Sequence, residues 1–565
     1  MEKPNLKDLQ DQNGLQDSLI NDSPSWPASN EFPIIAFEPM PANYSQHYYP
    51  NDKVTIKALL RAVADCGIDT VNVLGGMYAQ TAHLKTAQEL ETLGNNIKIK
   101  VIVNSDNLFE NPKSCLEMVT ALQNYDNLAA WNVKDEPSPN DWGEVLDKDG
   151  HVINPSGGQD VKYQIYNRDT IWHRLTIGYN LVRSLDPSRP VYFNLAVGSS
   201  PNITGKYYYL YNSVYEKNAE YLRHLNRLYH PKVWSFDYYP VGCKLKNNVP
   251  KKDKEKEGLM PTDTQLDTVV WYNELFTYLQ CFQDITQATG SKFLAFANCM
   301  HYNLYNSDGT FNVKYPVPTI GKLRLEVFSA MCFGASGIVY YRYGLGPDTI
   351  ANQKEPIDWQ QAFVSFESAV SYKNQTIVKS PTIWPLVKSM NEQIRLWQNL
   401  FIGCTVGKHR HAYVPNNLEG DPVVDVAVDK LSDGDLSNTC IQTLKCHFNK
   451  NATYIDKENA SYDGKPGNYV TTTHNQPGIL LSWFTNPSYK DDQYKNGHEH
   501  YIALLNLDIE RPQQLTLRLN KGGYYFLKET KTGNVSTCSL SSTISSPNTD
   551  NVITLSPGEM IVLFW

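Results

Sequence analysis

From residue 32 onward the chain alternates between two hydrophobic patterns. Short, nearly unbroken apolar runs are each followed by a longer stretch in which apolar residues recur at three- and four-residue steps. The runs are "PIIAFEP" (33–39), "TVNVLGG" (70–76), "IKIKVIVNSD" (97–106), "LAAWNVKDEP" (128–137), "PVYFNLAVG" (190–198), "VWSFDYYPV" (233–241), "KFLAFANCMHY" (292–302) and "GIVYYRYG" (337–344). The stretches between them, among them "TIKALLRAVADCG", "SCLEMVTALQNY" and "IGKLRLEVFSAMCFGA", carry the helical period, and several close on Gly. Strands that are apolar along their whole length are covered on both faces, as in a parallel sheet under helices. Eight such β-then-α units close a (β/α)8 TIM barrel, and residues 32–400 suit its size with insertions. A doubly wound open sheet is the weaker reading, because no G-x-G-x-x-G follows the first run.

At about residue 401 the helical period stops. "ILLSWFTN", "HYIALLNLD", "QQLTLRLN", "GYYFLKET" and "NVITLSPGEMIVLFW" alternate apolar and polar positions between polar turns, which predicts an all-β sandwich over 401–565 closed by a strand ending on Trp565. Residues 1–31 form a polar N-terminal leader without a hydrophobic signal core. No apolar run reaches the roughly 18 to 20 residues that a membrane-spanning helix needs.

Composition changes the picture in three places. Net charge is −8 with a pI near 5.9, so there is no basic excess for a polyanion and nucleic acid is not an expected partner. The 36 Tyr outnumber the 19 Phe, giving many rings with a polar edge, which suits a carbohydrate-facing surface as well as a Tyr-rich core. The 10 Cys show no zinc-like spacing and sit mostly in apolar patterns, the ordinary setting of buried free thiols.

In a (β/α)8 barrel the chemistry sits at the C-terminal ends of the strands. Those positions hold Glu38, then Asn104 and Asp106, then Asp135 and Glu136, then Asn194, then Asp237, Tyr238 and Tyr239. The last two strands add Asn298, Cys299 and His301, and Tyr341, Arg342 and Tyr343. Carboxylates and amides hold hydroxyls while rings stack on pyranose faces, so the expected partner is a carbohydrate. Only Lys134 and Arg342 bring positive charge, which is poor for a phosphate. Long insertions at 138–167, 242–267 and 345–381 open on the same face and carry Trp142, His151 and Trp359. Plainer readings exist: Glu38 as a loop cap, Asp106 as a helix cap, and His301 as a hydrogen-bonded strand end. Asp237, flanked by rings in "WSFDYYP", would be costly as an unpaired buried carboxylate, which favours a function for it.

The fourth strand ends in Asp135–Glu136–Pro137. A barrel with an acid-Glu-Pro triplet there resembles the large clan of retaining glycoside hydrolases, whose acid/base Glu lies at that position, usually as Asn-Glu-Pro. The stretch "YPVPTIGKLRLEVFSAMCFGASGIVYYRYG" is similar to the last barrel units of β-galactosidase-like glycosidases of gut Bacteroidetes, and "LSPGEMIVLFW" looks like the end of an appended accessory domain. The resemblance implies a hydrolase of β-linked oligo- or polysaccharides with Glu136 as general acid/base, no metal or organic cofactor, and export to the periplasm or cell surface. It also implies contacts to the sugar from Glu38, Asn104, Asp135, Asn194, Tyr238, Tyr239, Asn298, His301, Tyr341 and Tyr343.

Two departures stand out. The clan's nucleophile is a Glu at the end of strand 7, and "FLAFANCMHY" has no carboxylate. Asp135 also replaces the Asn that contacts the substrate's 2-hydroxyl. Glu326 is near in sequence, but it falls inside a predicted helix and is expected to stay away from the site. Asp237, or Glu38, is therefore the candidate second carboxylate. Asp141, Glu144 or Asp358 from the insertions is a further source, and a barrel that binds glycan without cutting it is the alternative from another class. A metal site built from Glu38, Asp106, Asp237 and His301 is the least supported reading.

Overall fold

The structure is a computed structural model. It describes residues 26–27, 30–37, 53–92, 97–137, 145–146, 152–153, 171–196, 214–245, 266–270, 272–300, 302–305, 311–316, 318–345, 363–366, 377–412, 423–426, 441–447, 454–456, 472–474, 478–486, 500–519, 525–531, 534–540 and 550–564. All eight apolar runs become strands of one closed parallel barrel: β1 (Ile34–Phe37), β2 (Thr70–Leu74), β3 (Lys100–Asn104), β4 (Leu128–Asp135), β5 (Val191–Ala196), β6 (Val233–Asp237), β7 (Lys292–Asn298) and β8 (Gly337–Tyr341), with β8 pairing back onto β1. The helical stretches become α1 (Lys53–Asp65), α2 (Met77–Leu90), α3 (Pro112–Leu122), α4 (Ile171–Leu185), α5 (Val214–Tyr229), α6 (Tyr272–Thr289), α7 (Ile320–Cys332) and α8 (Ile383–Phe401).

Side chains of each strand alternate between two cores. Val71, Val73, Val101, Val103, Trp131 and Val133 belong to a large core shared with the helices. Ile35, Phe37, Ile102, Ala130, Tyr192 and Phe296 fill the barrel interior. Burial on both faces is why the strands read as continuous apolar runs. Trp26, from the stretch read as a polar leader, is 6% exposed and packs in the interior cluster, and Lys292 Nζ donates to the carbonyl of Pro27.

Beyond α8 lies an all-β region of two antiparallel sheets. One has six strands in the order 405–412, 479–485, 500–506, 560–564, 525–531, 534–540, and the other has four, in the order 423–426, 441–447, 513–519, 550–555. The insertion at 242–267 is not simply a loop. Its flanks form the strands Val241–Leu245 and Leu266–Val270, which join Tyr302–Tyr305 and Phe311–Tyr315 in a mixed sheet after β6 and β7. Two strands from the all-β region, Tyr454–Asp456 and Thr472–His474, complete that sheet through the pairing of Val269 with Ile455. Trp565 lies outside the described residues.

Candidate active site

The site is built on a defect in β4. Across β4 and β5 the register runs Trp131 to Val191 and Asn132 to Tyr192, then Lys134 to Phe193 and Asp135 to Asn194. One residue, Val133, is extra. Such a bulge inverts the alternation, so Ala130 and Asn132 face inward below it and Asp135 faces inward above it. Lys134 is turned outward: its Nζ lies 3.1 Å from Asp106 Oδ1 and 5.2 Å above the Phe109 ring. Ser105, not Asp106, caps the short helix there, its Oγ accepting from the Asn107 amide at 3.3 Å.

Asn194 ties the acids of β4 to β6. Its Nδ2 donates to Asp135 Oδ1 at 2.9 Å, and its Oδ1 accepts from Ser235 Oγ at 2.9 Å. Its backbone carbonyl accepts the Glu136 amide at 2.8 Å. Glu136 itself has φ of 48° and is exposed, so the chain leaves the strand at this residue. A non-Gly residue in the left-handed region is uncommon and costs about 1 kcal/mol or more.

Asp237 ends β6, half-buried, with its Oδ1 buried and unpartnered. Burial pushes its carboxyl well above the usual range, reinforced by a side-chain hydrogen bond to Glu136 and by the charges of Glu136 and Asp135. Two carboxyls this near one another disfavour ionising Asp237 further than burial alone does.

Opposite the amides stands an aromatic wall. Tyr239 and Tyr341 stack with centroids 5.6 Å apart and planes at 26°, Phe37 lies 6.0 Å from Tyr341, and Tyr315 meets Tyr239 edge-on at 6.1 Å. Tyr238 does not join it. Asp237 faces inward, so its neighbour points to the helix layer, where the Tyr238 hydroxyl donates to Glu274 Oε2 at 2.6 Å and the ring meets Tyr278. Tyr343 is likewise fully buried, against Phe363 at 5.1 Å, outside the barrel interior.

At the end of β7, Asn298 Oδ1 accepts the Met300 amide at 2.9 Å, closing a turn. Cys299 is buried, its Sγ against the Tyr341 carbonyl at 3.2 Å. Glu326 is buried in α7 as expected of a helix residue, yet it reaches the strand end: Oε2 accepts the Asn298 backbone amide at 2.5 Å, and burial pushes its carboxyl up to about 8. Asn104 is 1% exposed at the end of β3. Glu38, His301, Asp141, Glu144, Asp358, Trp142, His151 and Trp359 lie outside the described residues. Among the described residues no group of three or more His, Cys, Asp or Glu side chains could hold a metal ion.

Sequence reasoning missed four polar residues around the site. Gln80 Nε2, on α2, reaches the carbonyls of Val73, Gly75 and Asn104 at 2.6, 3.1 and 3.0 Å and so fastens the ends of β2 and β3. Asn72, Asn132 and Ser235 face the barrel interior. The signal for each is a single polar residue at a position the apolar period assigns to a core, as in "TVNVL", "AAWNV" and "VWSFD".

No family model and no curated protein matches the chain. Solved structures similar to it include glycoside hydrolases. One is a family 5 glycoside hydrolase from Bacteroides vulgatus, at 10% identity over 94% of this chain and 89% of that one, with a TM-score of 0.43. Another is a β-glucosidase from Thermotoga maritima, at 9% identity over 65% of this chain and 98% of that one, with a TM-score of 0.36. A third is a β-galactosidase from the psychrophilic Marinomonas ef1, at 11% identity over 66% of this chain and 60% of that one, with a TM-score of 0.36.

Proposed function

We propose that this protein is a glycoside hydrolase acting on a β-linked oligo- or polysaccharide, with Glu136 and Asp237 as its reacting carboxyls. The observation that carries the reading is two neighbouring carboxyls at the C-terminal end of a closed barrel, Glu136 exposed after β4 and Asp237 half-buried at the end of β6. The same end of the barrel carries the Asn194–Asp135 amide shelf and the aromatic wall of Tyr239, Tyr341 and Phe37. A sugar ring lying on Tyr239 and Tyr341 presents its hydroxyls to Asn194 and Asp135. As general acid, Glu136 delivers a proton to the departing glycosidic oxygen while the Asp237 carboxylate attacks the anomeric carbon. Retaining enzymes hold their carboxyls about 5 Å apart and inverting ones roughly 6.5–9.5 Å, so the anomeric configuration of the released product, read by NMR, assigns the course of the reaction.

Glu136→Gln is expected to lower turnover by about three orders of magnitude or more on a cleaved glycan while far-UV circular dichroism stays unchanged. Undiminished turnover in that variant would sink the assignment. The second reading is glycan binding without hydrolysis. Its motive is the end of β7, where Asn298 stands in place of a carboxylate and spends its side-chain oxygen on Met300. That reading predicts saturable sugar binding by calorimetry with no reducing ends released, and release from any glycan of a panel rejects it.

A further inference from the structure

Below the acid pair the barrel interior holds amides that the proposed reaction does not use. Asn72, Asn104 and Asn132 face inward from β2, β3 and β4 and are 2%, 1% and 0% exposed. The register brings them together. Asn104 is the cross-strand partner of Asn132, and Asn132 is the partner of Tyr192. The Tyr192 hydroxyl in turn accepts a hydrogen bond from Asn72 Nδ2 at 3.4 Å.

Four atoms of this group have no protein partner: Asn72 Oδ1, Asn104 Nδ2, and both Oδ1 and Nδ2 of Asn132. A buried polar group left unpaired costs about 1–3 kcal/mol, and native interiors hold few of them. Three such amides on adjacent strands, among positions where Ile102 and Ala130 serve as ordinary core, imply an occupant that satisfies them. Its chemistry follows from the donors and acceptors. Two carbonyl oxygens and two NH2 groups, with no charge among them, match a small neutral molecule that both donates and accepts. Water is the molecule of that kind which fits between neighbouring strands of a packed barrel.

We propose that Asn72, Asn104 and Asn132 form an internal hydration site holding ordered water inside the barrel. It lies one inward step below Asp135 on β4, so the interior beneath the carboxyl pair is polar rather than hydrocarbon. The site does not rest on the glycosidase reading, and its test uses no activity measurement.

The test is a high-resolution crystal structure of the full chain, together with magnetic relaxation dispersion of water ²H and ¹⁷O, which counts long-lived internal waters. The expected result is at least one water within hydrogen-bond distance of Asn132 and of Asn72 or Asn104. Asn132→Leu, which keeps volume and removes both unpaired atoms of that residue, is expected to lower the long-lived water count by at least one. Amides bonded directly to one another with nothing between them would overturn the proposal, as would an unchanged water count in the variant. If Asn132→Leu does not fold, the wild-type crystal structure decides alone.

Discussion

Glu326 makes the pH dependence of stability readable at a single residue. Its carboxyl ordinarily titrates at 4.5, and in the folded chain burial raises it to about 8. A raised value means that folding favours the protonated form. That stability is fully present below pH 4.5 and is lost as pH rises through about 8. Glu326→Gln keeps an acceptor for the Asn298 amide and never charges. Its unfolding free energy should match the wild type near pH 4.5 and exceed it above pH 8 by a few kcal/mol, since each pH unit between the two titration points is worth about 1.4 kcal/mol. Denaturant titrations at pH 5, 7 and 9 check this, and a difference that does not vary with pH counts against it. Other residue-scale features differed in legibility. Glu136 was singled out by the Asp135–Glu136–Pro137 triplet and Asp237 by the cost of an unpaired carboxylate between bulky rings. Tyr238 and Tyr239 were indistinguishable, since which of two adjacent residues faces inward depends on where the strand ends. The hydrogen bond from Glu326 to Asn298 was hidden because it joins a helix to a strand 28 residues away.

At the scale of elements, the site depends on two devices that fix strand ends. One is the bulge at Val133, which brings Asp135 to the inner face and sends Lys134 out to Asp106. Periodicity could not reveal it, because "LAAWNVKD" is buried on both faces up to Val133 and carries no clean alternation to be inverted. The other is Gln80, whose amide donates to three carbonyls of the β2 and β3 ends. Gln80→Leu fills the same space and leaves those buried acceptors short of a donor. The expected loss is about 2–4 kcal/mol, since each unmet buried group costs about 1–3 kcal/mol and the Asn104 carbonyl retains the Gly75 amide. Urea unfolding measures that loss, and a change below about 0.5 kcal/mol would remove Gln80 from the account. The eight strands and eight helices, by contrast, were legible in kind and order, though several boundaries shifted by up to five residues, because their patterns are local and both cores demand them.

For the whole molecule, the question is whether barrel and all-β region unfold separately. The helical period stops near 401, but nothing local foretells how the barrel and the sheets meet. That depends on pairs such as the Tyr272 hydroxyl on the Leu507 carbonyl at 2.6 Å and Asn486 Nδ2 on the carbonyls of Leu400 and Ile402 at 3.0 Å. One continuous core runs from Phe276 and Leu323 of the barrel helices to Leu505 and Val562 of the sheets. Backbones approach closely at Gly321, near the start of α7, where an added Cβ would lie 2.1 Å from the Ile509 carbonyl oxygen. Gly558, at φ of 63°, closes the other side, its own Cβ position 2.4 Å from the Gly321 oxygen. Backbone on both sides cannot yield as a flexible side chain would. Gly321→Ala should therefore cost about 1–3 kcal/mol, the range for overpacking. A shared core predicts a single thermal transition in the wild type, seen alike by far-UV circular dichroism and by Trp fluorescence. In a unit of this size the variant's midpoint should fall by roughly 1 °C per kcal/mol while the two probes stay superimposed. Two resolved transitions in the wild type, or a Gly321→Ala midpoint equal to it, would mean that this junction does not couple the halves.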